Sequence, residues 1–220
     1  MFEHRLTHAR TALRAALGAA VAAGAIAGGV AAGGTAAHAD TDVRPPARAA
    51  QHTQAVQVTA EQVLATARAQ IGTTENADGG GTKFQQWYTT SQRALETAAR
   101  DGGSTTSYKN APWCSMFVSW VGEHTGARSQ IGWDAYAVTH AKWFEANQRF
   151  GTAPKPGAVV FFSWSGSKDL DAIDHVGFVV KDNGDGSLTT IEGNTGNGKV
   201  EQRTRPTSQV VGYGYPVYAS

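Results

Sequence analysis

The pattern of apolar residues changes character once along this chain, near Pro154, and that change limits the folds open to it. Ahead of it the periodicity is helical. Thr59-Ala-Glu-Gln62 has the form of a capping box, and Val63, Leu64, Ala67 and Ile71 recur behind it at helical spacing up to Gly72. Asp78-Gly79-Gly80-Gly81 must be a loop. A second helix is predicted over Gln92 to Arg100, a third opening at Asn110-Ala-Pro112, and a fourth over Asp134 to Gln148. Beyond Pro154 the runs are short and apolar: Ala158 to Phe162, His175 to Val180, Ser187 to Glu192, Lys199 to Thr204 and Val210 to Tyr218. Asn183-Gly-Asp-Gly186 is a hairpin signal between two of them. Helices followed by a meander of strands predict an α+β domain, helices packed on an antiparallel sheet of about five to six strands.

The first residues read differently. Arg5, Arg10 and Arg14 precede and enter an Ala- and Gly-rich apolar stretch that ends at Ala37-His38-Ala39, the small-x-small pattern of a signal-peptidase site. Residues 1–39 are therefore expected to be a secretory signal peptide, with 40–55 a disordered tail and 56–220 the folded domain. A membrane anchor is the alternative on length alone, but the stretch is poor in Leu, Ile and Phe. No adjacent Arg pair points to the twin-arginine route. The leader holds three Arg and one Glu of the chain's 19 basic and 18 acidic residues, so the remainder is close to neutral. That balance lacks the basic footprint of a nucleic-acid binder. The expected state is a monomer, without stable membrane anchoring once the leader is removed.

An exported protein normally uses cysteine in pairs. This chain has one, Cys114. It is an intermolecular staple, an inert buried thiol, or a reactive group. Its place at the start of the third predicted helix favours the last, because free N–H groups and the helix dipole there stabilise negative charge on sulfur and on an attacked carbonyl. Phe117, Val118 and Val121 follow at i+3, i+4 and i+7, so the thiol shares their inward stripe. A structural cysteine would also suit that stripe.

A thiol nucleophile needs a base, usually histidine. Of the chain's seven histidines, His4, His8 and His38 fall in the leader and His52 in the tail. His124 lies ten residues along the same helix, about 15 Å away at the helical rise. His140 is expected on a solvated helix face. His175, opening a strand, remains, although a strand-end histidine is unremarkable by itself. Glu192 and Asn194 are two apart on the next strand and so are expected to share a face, where either could accept from an imidazole and fix its tautomer. Gly193 between them permits close approach of backbone or substrate.

Four segments carry a family resemblance: Asn110-Ala-Pro-Trp-Cys-Ser-Met-Phe-Val-Ser-Trp120, Pro156-Gly-Ala-Val-Val-Phe-Phe162, Asp174-His-Val-Gly-Phe-Val-Val180 and Thr190-Ile-Glu-Gly-Asn194. In order and spacing they resemble the successive blocks of a CHAP domain (cysteine, histidine-dependent amidohydrolase/peptidase), from about Thr59 to the C-terminus. The resemblance implies a papain-like fold of the NlpC/P60-type superfamily. It implies Cys114 as nucleophile, His175 as base, and Glu192 and Asn194 as matching the positions that orient the histidine, without saying which dominates. It implies peptidoglycan as the substrate partner, cut at the muramoyl–L-Ala amide or within stem and bridge peptides. Trp113, beside the cysteine, is expected to help line the substrate groove, and Trp133 and Trp164 are placed in loops.

No cofactor and no metal site is expected. Some CHAP members bind calcium ahead of the cysteine, but Asp101 to Asn110 holds one acid here. Asp169, Asp171 and Asp174 form an acid-rich loop that could attract a hard cation or simply be solvated. NlpC/P60 peptidases place Asp before the cysteine and Ser-Gly after it, where this chain has Trp113 and Ser115-Met116. A zinc amidase would need clustered ligands such as His-Glu-x-x-His, which the sequence lacks. A non-catalytic wall-binding or regulatory module with the same fold is the remaining alternative.

Overall fold

A computed structural model describes residues 57–220. The expected leader and the whole of the expected tail lie outside the described residues. Three hydroxyl-capped helices come first: α1 (Ala60–Arg68), α2 (Lys83–Thr89) and α3 (Gln92–Thr97). Thr59 and Gln62 form the predicted capping box of α1, and Thr82 and Gln85 form a second one on α2. No sequence expectation covered α2, which is short and rich in aromatics. Its signal was the Thr82-to-Gln85 spacing directly after the glycine loop. Next come α4 (Cys114–His124), α5 (Arg128–Ile131) and α6 (Ala137–Ala146). Helix α6 is shorter than expected at both ends. Asp134 is held out of it by its ion pairs with Arg93 and Arg100.

The strands are β1 (Phe150–Gly151), β2 (Val159–Phe162), β3 (His175–Asp182), β4 (Ser187–Thr195), β5 (Lys199–Pro206) and β6 (Val210–Gly214). They form one antiparallel sheet in the order β1-β6-β2-β3-β4-β5. The expected α+β, papain-like arrangement of N-terminal helices and six-stranded sheet is what the described residues adopt. Strand β6 stops at Gly214, short of the expected Tyr218; Pro216, lacking an N–H, cannot continue a ladder.

Side-chain alternation divides the strands between two cores. Val159, Phe161, Val176, Phe178, Ile191 and Val200 face the helices and join the larger cluster. Val160, Phe162, Val179 and Leu188 face the other way into a smaller one. Helix α4 lies against β3 and β4, with Phe117 edge-on to Phe178 at 6.2 Å between ring centres. Fully buried rings of this kind contribute roughly 1.5–3 kcal/mol each.

Glycine makes that contact possible. A Cβ at Gly193 would lie 2.6 Å from Phe117 Cβ and 2.9 Å from Trp113 Cζ3. The close approach expected at Gly193 is thus made by the turn of α4 that carries Cys114. Gly193→Val should destabilise the domain by about 1–3 kcal/mol, as overpacking does, and should move α4 away from β4. Thermal unfolding beside wild-type protein checks this; an unchanged midpoint would contradict the packing described.

Candidate active site

Cys114 is the first residue of α4, as its sequence position suggested, though Pro112 lies two residues before the helix rather than within it. Unlike α1, α2 and α3, this helix starts without a side-chain cap: Trp113 occupies the N-cap position and caps nothing. Its first backbone bond from this turn runs from Phe117 N to Trp113 O, 2.9 Å. Among the described residues, the N–H groups of Cys114, Ser115 and Met116 are left with no bonded acceptor. An uncapped helix start beside a thiol is a ready set of donors for an oxyanion.

The thiol sits at the foot of a cleft of about 510 Å³ whose walls include Arg100, Pro112, Tyr136, Ile173 and Asp174. Both Cys114 and His175 are buried, 6 % and 5 % exposed. His175 pairs with Phe162 across β2 and β3, and Gly177, two residues on, pairs with Glu192. The histidine and Glu192 therefore belong to the sheet face turned away from the helices. Cys114 comes from the helix layer, and the two sets meet at the end of the sheet, where the sulfur lies near enough to the imidazole to favour its charge.

His175 Nε2 lies 3.0 Å from Glu192 Oε2, which leaves Nδ1 as the nitrogen available to the sulfur. Gly177 makes this alignment possible. A Cβ there would lie 2.7 Å from Glu192 Cγ, so the bare glycine lets the glutamate side chain lie flat across β3 toward the histidine.

Glu192 is fully buried and fully occupied. Its Oε1 accepts from Thr190 Oγ1 at 2.6 Å and from Arg205 Nε at 2.9 Å. Its Oε2 accepts from Arg205 Nη2 at 2.6 Å as well as facing His175. Burial alone would raise its pKa, but the bonds from His175, Arg205 and Thr190 outweigh that and bring it down to about 2. For His175, burial disfavours the charge, while the bonds and charges of Cys114 and Glu192 favour it more strongly, and its pKa is pushed up to about 9. The surroundings of His175 thus favour its protonated form.

Several expectations need correction. Trp113 does not line the cleft: it is fully buried, stacked on Phe84 at 5.3 Å, with its Nε1–H donated to Glu75 at 2.7 Å. Its ring is a support beneath the nucleophile. Asn194 stands where the alternation expected to put it on the face of Glu192 is interrupted. Its φ of 54° is left-handed and the β4–β5 register shifts there, so strict alternation ends one residue too early. Among the described residues its side chain makes no hydrogen bond to His175. His140 is buried, not solvated. It donates from Nε2 to Ile131 O (2.6 Å) and accepts at Nδ1 from Ser115 Oγ (2.9 Å), burial having lowered its pKa. Ala137, His140, Ala141 and Phe144 form the inward stripe of α6, a 3–4 spacing visible in the sequence.

Trp164 was placed correctly in a loop and is 43 % exposed. Its ring centre lies 5.2 Å from that of His175. Trp133 is half-buried under Arg128, 4.3 Å from its ring centre. The carboxylates of the acid-rich loop are engaged locally: Asp169 accepts from Asp171 N, Asp171 pairs with Lys142, and Asp174 accepts from Trp164 N at 2.8 Å.

The model of the CHAP domain family matches residues 103–194, a span that contains Cys114, His175, Glu192 and Asn194. Residues 103–194 form a CHAP domain. The match is shorter than the resemblance, which extended to both sides: α1 to α3, β5 and β6 lie outside it. CHAP domains are usually hydrolases that act on peptidoglycan. No curated protein matches the chain.

Proposed function

We propose that this CHAP domain is a peptidoglycan hydrolase that cleaves amide bonds of the wall peptide through a Cys114 thioester, as amidase or endopeptidase. The observation that carries the reading is Cys114, at an uncapped helix start, set beside a His175 that is hydrogen-bonded to Glu192.

The chemistry follows from that line. Sulfur, its proton resting on His175, attacks the amide carbonyl and forms a C–S bond. The developing oxyanion is received by the free N–H groups at the start of α4. The imidazolium passes its proton to the leaving nitrogen as the C–N bond breaks and the amine departs. Neutral His175 then takes a proton from water, which attacks the thioester. The carboxylic acid is released and sulfur regains its starting state. Glu192 holds the ring in register and supports its charge, without itself taking the proton.

Secretion through the leader expected in residues 1–39 would bring the domain to this substrate outside the cell or in the wall. Among the described residues no helix is long and apolar enough to cross a membrane. The test is turbidity loss and amine release from purified peptidoglycan. The thiol mechanism predicts that iodoacetamide abolishes both and a chelator leaves both intact. Activity that survives iodoacetamide but not the chelator would overturn it, and wall binding without released amine would indicate a non-catalytic module. Muropeptide mass spectrometry then identifies the bond.

A further inference from the structure

We propose that Arg205 is a positioning residue of this site, holding the Glu192 carboxylate that steers His175. The inference rests on the thiol mechanism above. Arg205 lies on β5, beyond the residues matched to the CHAP domain. Its side chain is 16 % exposed and reaches back along the sheet to Glu192. Nε donates to Oε1 at 2.9 Å and Oε2 at 3.2 Å, and Nη2 to Oε2 at 2.6 Å. Nη2 also donates to Thr195 Oγ1 at 2.9 Å, which ties the fork to the far end of β4. Its guanidinium carbon lies 4.8 Å from the ring centre of Trp164, the same ring that covers His175.

Charge explains why such a residue is needed. A fully buried carboxylate facing imidazolium alone would have lone pairs to spare and freedom to turn. Arg205 satisfies both oxygens from one side, so His175 meets a carboxylate that is fixed in orientation. The buried Glu192 carboxylate thus has His175 on one side and the Arg205 cation on the other. The other charges nearby are accounted for. Asp174, beside His175 on β3, is turned to Trp164 N, and Glu201 pairs with Arg203 on β5 at 3.0 Å. Phe162 and Trp164, which flank the imidazole, carry none. A lysine could supply the charge but not the planar fork.

Two consequences separate positioning from mere stabilisation. Loss of the fork lets Glu192 and the imidazole drift, and misplacement of this kind costs roughly 10- to 100-fold in turnover with KM little changed. Loss of the cation leaves the Glu192 charge undivided toward His175, so the alkaline limb of the activity profile should move up by about half a pH unit or more.

The experiment compares wild type, Arg205→Gln, Arg205→Lys and Cys114→Ala on soluble peptidoglycan fragments from pH 5 to 10, with circular dichroism giving the folded fraction. Expected are a lower kcat and an upward-shifted alkaline limb for R205Q, and for R205K a limb near wild type with kcat partly restored. A wild-type kcat and profile for R205Q, a reduced folded fraction with unchanged profile and kcat per folded molecule, or a downward shift would each overturn the role of Arg205. Activity retained by C114A would instead overturn the thiol mechanism beneath it.

Discussion

Cys114→Ala is expected to lower peptidoglycan hydrolysis by at least about 10³-fold while the domain stays folded. The substitution removes a sulfur that faces the cleft floor and leaves the helix stripe of Phe117, Val118 and Val121 intact. Its stability cost should be about 1 kcal/mol, in the ordinary range for a single change. Thermal unfolding and rate measured on one preparation separate the two effects. The residual rate is what the helix-start N–H groups and substrate binding provide without a nucleophile. A fall in rate matched by loss of folded protein would assign Cys114 a packing role.

Glu192→Gln should have the next largest effect, a fall of roughly 10²- to 10⁴-fold, as for a triad carboxylate converted to its amide. The side chain keeps its shape, so the loss comes from charge and tautomer. In the wild-type site the alkaline limb should lie near pH 9, where His175 gives up its proton. Without the Glu192 charge, and with Arg205 left facing the imidazole, that limb should drop by about a unit or more. The Arg205→Gln limb is expected to move in the opposite direction, so the pair of profiles tests the sign of each charge independently of any general loss of activity.

Stability should follow the same groups. The folded pKa of Glu192 is about 2, below its ordinary 4.5, so its contribution is complete above that ordinary value and disappears as pH falls through the folded one. The folded pKa of His175 is about 9, above its ordinary 6.5. Its contribution is complete below 6.5 and is lost as pH rises through 9. The Glu192→Gln variant should therefore lack part of the wild-type sensitivity to acid, a difference that unfolding curves at pH 3 and pH 6 would reveal.

How much of this was legible in the sequence depended on how locally each feature is encoded. Cys114, His175 and Glu192 sit in short blocks whose spacing is that of their own helix or strand, and each lies where that spacing placed it. The two-residue rule that located Glu192 failed at Asn194, because a left-handed residue and a register shift interrupt the strand at that point. Trp113 was misplaced for another reason. Whether a residue beside a nucleophile is exposed depends on what covers it, and here Phe84 and Glu75, the latter 38 residues earlier, do so. Arg205 was invisible for the same physical reason. Its partner is thirteen residues away on the neighbouring strand, and only the sheet register and the length of both side chains bring them together. Gly177 and Gly193 stood in the recognised blocks, but their purpose emerges only with Glu192 and Phe117 packed against them.

The most direct test of the central claim is to look for the bond that Cys114 is said to form. Soluble peptidoglycan fragments would be turned over, quenched in acid, digested and analysed by mass spectrometry of the Cys114 peptide. The mechanism predicts that this peptide carries the acyl half of the fragment as a thioester, released by hydroxylamine and absent from Cys114→Ala. Sustained turnover with Cys114 unmodified throughout, or an acyl group on a different residue, would contradict it.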